Sequence, residues 1–159
     1  MATITNLTDV ANALLDNAIE NGEVTETGTP GVFEFPVAGA PVLASEDTDI
    51  DMGDVNSAML VGDADADITG NENNNFMVGN DGDNVIDAGT GDDQVSTGAG
   101  DDTVSLGDGN DFITVDGPGT KSIDGGEGDD TFVIQGAGED GEASHTTLTG
   151  LTLGDTLRL

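Results

Sequence analysis

A nine-residue period constrains this chain more than any other feature. In one register it reads MGDVNSAML (52–60), VGDADADIT (61–69), GNENNNFMV (70–78), GNDGDNVID (79–87), AGTGDDQVS (88–96), TGAGDDTVS (97–105) and LGDGNDFIT (106–114). After one surplus residue, Val115, it resumes with DGPGTKSID (116–124) and GGEGDDTFV (125–133), and LASEDTDID (43–51) is a weaker leading copy. Self-similarity at a fixed period marks a stacked array of one structural unit. The eighth place is always apolar: Ile50, Met59, Ile68, Met77, Ile86, Val95, Val104, Ile113, Ile123 and Phe132. The second is glycine at Gly53, Gly62, Gly89, Gly98, Gly107, Gly117 and Gly126, with Asn71 and Asn80 between them. The fourth is glycine at Gly82, Gly91, Gly100, Gly109, Gly119 and Gly128, and the sixth is aspartate at Asp93, Asp102, Asp111 and Asp130.

Each unit divides into a glycine- and aspartate-rich turn of six residues and a strand of three, whose middle residue points inward. Asparagine tolerates a left-handed backbone better than most residues, so Asn71 and Asn80 are expected to adopt the conformation of the glycines they replace. Two units close one flattened coil of 18 residues, and coils stack through parallel strands. Sixth-place residues then fall in two rows, Asp93, Asp111 and Asp130 on one edge, Asn84, Asp102 and Lys121 on the other.

Charge sets the next limit. There are 33 acidic residues against 2 basic ones, a formal net charge of −31. So acidic and glycine-rich a chain normally stays unfolded, and its thin apolar column cannot offset the entropy of ordering the turns. Self-repulsion must be neutralised by something bound. Phosphate backbones are repelled, which argues against nucleic acid as a partner. The chain has no cysteine, so a metal site would use oxygen ligands, the preference of hard cations. A cation shared between stacked turns would meet a carboxylate above, a carboxylate below and backbone carbonyls, an irregular shell that calcium accepts better than magnesium.

The pattern resembles the RTX nonapeptide family, G-G-x-G-x-D-x-U-x, over residues 52–133, most closely at 79–114 and 125–133. The resemblance implies an all-β fold, a right-handed parallel β-roll (a β-solenoid), with Ca2+ as the bound ion. It makes Asp93, Asp102, Asp111 and Asp130 ligands, with Asn84 a weaker one. Carbonyls of the adjoining turns, at Gly89, Gly91, Gly98, Gly100, Gly107, Gly109, Gly126 and Gly128, would complete the shells. The sites implied are Asp93/Asp111 and Asp111/Asp130, with Asn84/Asp102 weaker. Ser57, Ala66 and Asn75 stand at the sixth place of the early units and argue against strong sites there. Lys121 occupies a ligand position outright: either its ammonium replaces an ion between coils or it faces solvent.

The roll is expected over 43–133. Residues 1–42 read as a helix-and-strand cap or assembly segment. An amphipathic helix over 8–21 carries Ala11, Leu14, Leu15, Ala18 and Ile19 on one face, and an alternating strand over 32–35 ends at Pro36. Residues 134–159, with Leu148, Leu151, Leu153, Leu157 and Leu159 among threonines, read as a C-terminal strand cap or a secretion or assembly segment. MATITNLTDV lacks a basic stretch followed by an apolar core, so no conventional cleaved leader is expected. No segment has the roughly 20 apolar residues of a membrane-spanning helix, so membrane insertion is not expected.

Asp63, Asp65 and Asp67 do not make an EF-hand, because Ile68 and Asn74 stand where the loop needs glycine and glutamate. His145 has no nucleophile motif beside it, and no cofactor fingerprint is present, so no enzyme is expected. Three functions compete. The first is a secreted structural protein that folds on calcium and self-assembles through its ends into a filament, surface layer or matrix. The second is a calcium-triggered folding and export module of a type I secreted protein, against which the opening Met1 weighs. The third is a ligand-binding solenoid such as an ice binder, disfavoured because third-place residues form no regular Thr/Asn array. A chain of this kind is expected to stay unfolded in the calcium-poor cytoplasm and fold once exported.

Overall fold

Alternation of buried and exposed residues, repeated coil after coil, builds two facing sheets. The computed structural model describes residues 25–26, 32–37, 40–45, 48–135 and 144–159, with side chains from 48 onward. Its strands are β1 (Thr25–Glu26), β2 (Val32–Val37), β3 (Ala40–Ser45), β4 (Ile50–Asp51), β5 (Ser57–Leu60), β6 (Ile68–Asn71), β7 (Phe76–Val78) and β8 (Val85–Gly89). They continue as β9 (Gln94–Ser96), β10 (Asp102–Ser105), β11 (Phe112–Val115), β12 (Gly119–Asp124), β13 (Thr131–Ile134), β14 (Ser144–Thr149) and β15 (Thr156–Arg158). One sheet runs β1-β2-β3-β5-β7-β9-β11-β13-β15 and the other β14-β12-β10-β8-β6-β4. From β3 onward every pairing is parallel. The fold is thus an all-β parallel β-solenoid, as expected. The helix expected over 8–21 lies outside the described residues.

Coils of two units follow directly from the register. Val85 pairs with Thr103 and Phe76 with Gln94, each exactly two units on, so every turn lies over the turn two units earlier. The eighth-place residues form the core: Ile50, Ile68, Met77, Ile86, Val95, Val104, Ile113, Ile123 and Phe132 are all buried. Met59 is the exception. Ala58 pairs with Met77 and is buried together with Leu60, while Met59 is only half-buried. Strand alternation allows either that phase or one that buries Ser57 with Met59, and the observed phase keeps a hydroxyl out of the core.

A second inward column escaped the sequence reading. Met52, Ala88, Thr97, Leu106 and Val115 sit two residues beyond the eighth place and are buried too. Val115 therefore fills the place Leu106 fills one unit earlier, and the surplus residue is Asp116. Its carboxylate absorbs the insertion by accepting from the Gly98 N–H and the Ser96 hydroxyl, each at 3.1 Å.

The ends differ. The strand expected over 32–35 forms but runs through Pro36, which faces Pro41 in an antiparallel pair with β3. At the other end β14 and β15 add to β12 and β13, placing Leu148 beside Ile123 and Leu157 beside Phe132. The coil thus continues past the last nonapeptide.

Fourth-place glycines are required by contact between coils as well as by backbone. Gly109 has φ +149°, and a Cβ there would lie 1.9 Å from the Gly91 carbonyl oxygen. Gly109→Ala is expected to lower stability by about 2 kcal/mol or more, through left-handed strain plus displaced backbone. A urea midpoint in calcium unchanged from the parent would refute this.

Candidate metal centre

Sixth-place residues point inward at the edges of the core. Asp93, Asp102, Asp111, Asp130, Asn75, Asn84 and Lys121 are all at most 3 % exposed. On one edge they form a ladder in which each carboxylate reaches back one coil. Asp93 Oδ1 accepts from Asn75 N–H at 2.6 Å, Asp111 Oδ1 from Asp93 N–H at 2.7 Å, and Asp130 Oδ1 from Asp111 N–H at 2.9 Å. Asp155, in the C-terminal segment, extends it by accepting from Asp130 N–H at 2.9 Å. That residue was missed because it lies outside the nine-residue register.

Each ladder carboxylate spends one oxygen on the backbone. The other, Oδ2 of Asp93, Asp111 and Asp130, is buried without a hydrogen-bond partner. A buried carboxylate oxygen so placed is costly unless it is protonated or meets a cation. Burial accordingly pushes Asp93 up to about 6, against the Asn75 N–H that stabilises its charge. Asp111 is pushed up to about 7 by burial, helped by the charges of Asp93 and Asp130. Asp130 is raised by burial as well. Oxygen-only, anionic and in want of positive charge, this edge fits a hard cation.

The opposite edge is built differently. Asp102 Oδ1 accepts from Asn84 N–H at 2.9 Å, continuing the same ladder. Its Oδ2, however, meets Lys121 Nζ at 2.8 Å. Burial pushes Asp102 up to about 6, with Lys121 opposing the shift. Lys121 is 1 % exposed, so it does not face solvent, and its ammonium also donates to the carbonyls of Gly100 and Pro118. Asn84 is equally committed: Oδ1 accepts from Asn80 N–H and Nδ2 donates to Ala66 O and Asn80 Oδ1. Asp102 Oδ2 thus has an ion-pair partner though no hydrogen bond, and both polar atoms of the Asn84 amide are taken.

Asn71 and Asn80 do not adopt the left-handed backbone expected of them, since every residue with positive φ among the described ones is glycine. They work through their side chains instead. Asn71 Nδ2 donates to Gly53 O and Val55 O, and Asn80 Nδ2 to Val61 O and Ala64 O. Among the glycine carbonyls expected as ligands, those of Gly89 and Gly107 accept backbone N–H groups one coil on. The Gly98 carbonyl accepts from Thr97 Oγ1 and that of Gly128 from Thr152 Oγ1.

A third set of contacts was legible yet overlooked. Fifth-place Asp or Asn recurs at Asp65, Asn74, Asp83, Asp92, Asp101, Asn110 and Asp129. The first six of these accept with Oδ1 from a backbone N–H one coil ahead, at 2.7–3.1 Å. Fifth-place side chains thus reach forward while sixth-place aspartates reach back, stitching successive turns together.

A family model described as RTX calcium-binding nonapeptide repeat (4 copies) matches residues 69–104, 78–113 and 122–133. The matched residues, about a third of the chain, carry RTX calcium-binding nonapeptide repeats. No curated protein and no solved structure matches the chain. RTX repeats are calcium-binding, so the cation that suits the orphaned edge is Ca2+. Such repeats are typical of extracellular proteins exported by type I secretion. Among the described residues no helix is long and apolar enough to cross a membrane.

Proposed function

We propose that the protein is a secreted, calcium-built structural unit, rather than an enzyme, whose RTX roll folds on Ca2+ and joins end to end into a filament, layer or matrix. Asp93, Asp111 and Asp130, with carbonyls of the adjoining turns, hold the ions. Calcium supplies the charge that the buried oxygens lack and cross-links successive coils.

The open C-terminal end of the core carries the assembly part. Leu157 stands in the inward column beside Phe132, yet it is 52 % exposed, with no further coil over it among the described residues. Leu151, Leu153 and Leu159 are exposed nearby, and β14 and β15 are the last strands of their sheets. Unpaired edges beside apolar surface template pairing with another chain. A second copy that lays a different face of its own against this end makes a head-to-tail contact that does not close.

Sedimentation velocity across a series of free calcium concentrations tests this. The expected course is compaction followed by large, polydisperse species, with Leu157→Asp halting at the compact monomer. A monomer that compacts in calcium and never grows, at any protein concentration, would leave the folding and export module as the better reading.

A further inference from the structure

Fourth-place carbonyls behave as if each needed a positive partner from the next coil. Asn71 Nδ2 donates to Val55 O at 2.8 Å and Asn80 Nδ2 to Ala64 O at 3.0 Å. Lys121 Nζ donates to Gly100 O, and Thr152 Oγ1 donates to Gly128 O at 2.9 Å. These donors come from unrelated places: the second position of a unit, the sixth, and a segment beyond the repeats. They converge on the same carbonyl of the turn below.

The remaining turns on the aspartate edge are the complement. Asn73, Gly91 and Gly109 hold the fourth place there, and among the described residues no side chain donates to their carbonyls. Each shares its junction with one orphaned oxygen: Asn73 with Asp93 Oδ2, Gly91 with Asp111 Oδ2, Gly109 with Asp130 Oδ2. Asp155 accepts from both Asp130 and Thr152, so its junction leaves no carboxylate oxygen over. Gly82 O takes no side-chain donor among the described residues, but the Asp102 Oδ2 of its junction is ion-paired with Lys121 at 2.8 Å.

The geometry points to side chains standing in for calcium at four junctions of the roll, those of Asn71, Asn80, Lys121 and Thr152, so that ions are confined to the edge of Asp93, Asp111 and Asp130. Lys121 is the fullest substitute, an internal cation held by one carboxylate and two turn carbonyls. Asparagine and threonine supply a partial positive charge without an anion to match. Charge balance follows the same division: calcium goes where carboxylates are unpaired, and the other edge is held by groups that cannot dissociate.

This inference rests on calcium binding by the repeats and is independent of assembly. Its test is the number of ions taken up on folding, read from the slope of unfolding free energy against the logarithm of free calcium. The full-length chain is expected to take up three, one for each orphaned oxygen of the aspartate edge. K121D frees Asp102 Oδ2 and adds a carboxylate at the sixth place above Gly100 O, so it should take up at least one more ion and need more calcium to fold. K121M should weaken folding at every calcium concentration without steepening the slope. Direct ion counting by equilibrium dialysis of the parent chain reads the same number without any variant. Four or more ions in the parent, K121D with the parental slope, or K121D unfolded even at high calcium would each overturn the assignment. A parent that binds no calcium overturns it too, and takes the calcium reading with it.

Discussion

Chelated at pH 8, the full-length chain is expected to lose its β-sheet signal and sediment as a slow, expanded species. Three carboxylate oxygens then lie buried and unpartnered on one edge, within a chain of formal net charge −31. Asp93 and Asp111, held up near 6 and 7 by burial, would be forced to ionise without compensation. Acid should partly replace the metal. A carboxyl whose pKa is higher folded than unfolded binds more protons in the fold, so its contribution is complete below about 4 and is lost as pH rises through 6 to 7. In chelator, far-UV circular dichroism should therefore show the metal-free roll gaining structure as pH falls from 8 toward 5. With calcium present the dependence reverses, because protons compete for the same oxygens and apparent affinity weakens below about pH 7. A compact, sheet-rich chain at pH 8 in chelator would defeat the whole scheme.

Asp111→Asn should separate the two roles of that side chain. Asn75 and Asn84 show that an amide at the sixth place still fits the turn, Oδ1 accepting from an N–H four residues earlier, so a buried hydrogen bond survives the change. The charge does not. Losing one ionised ligand, worth about 1.5–3 kcal/mol, should weaken calcium binding roughly tenfold to a hundredfold at the junctions Asp111 shares with Asp93 and Asp130. The same change removes a carboxyl that burial holds near 7, so in chelator at pH 8 the variant should be more structured than the parent. Opposite effects with and without calcium are the signature, read by calorimetric titration and by circular dichroism in chelator. Destabilisation under both conditions would mean that Asp111 serves packing alone.

The architecture was legible because its cause is repeated. One apolar residue in nine, glycines at fixed offsets and a sixth-place aspartate each recur often enough to set the period, and the period sets the coil. The misreadings fall where the repetition falters. Met59 and Ala58 compete for one inward place, and alternation within a four-residue strand settles it by what else must be buried. Val115 looks surplus in a count of nine, yet it is buried and Asp116 is the residue accommodated. Asn71 and Asn80 look like glycine substitutes, but their function lies in the amide groups.

By itself the sequence determined the parallel stacking of coils, the two rows of sixth-place residues and the need for a cation, because these follow from period and charge alone. Tertiary structure decided which carboxylates are left wanting. Asp102 and Asp111 are identical in the repeat, but stacking brings an ammonium to one and another carboxylate to the other. It also decided that Asp155 and Thr152, far beyond the last repeat, complete the same edge. A carboxylate's partner belongs to the coil above or below it, eighteen or more residues away along the chain, so burial and contact can be read only once the coils are stacked.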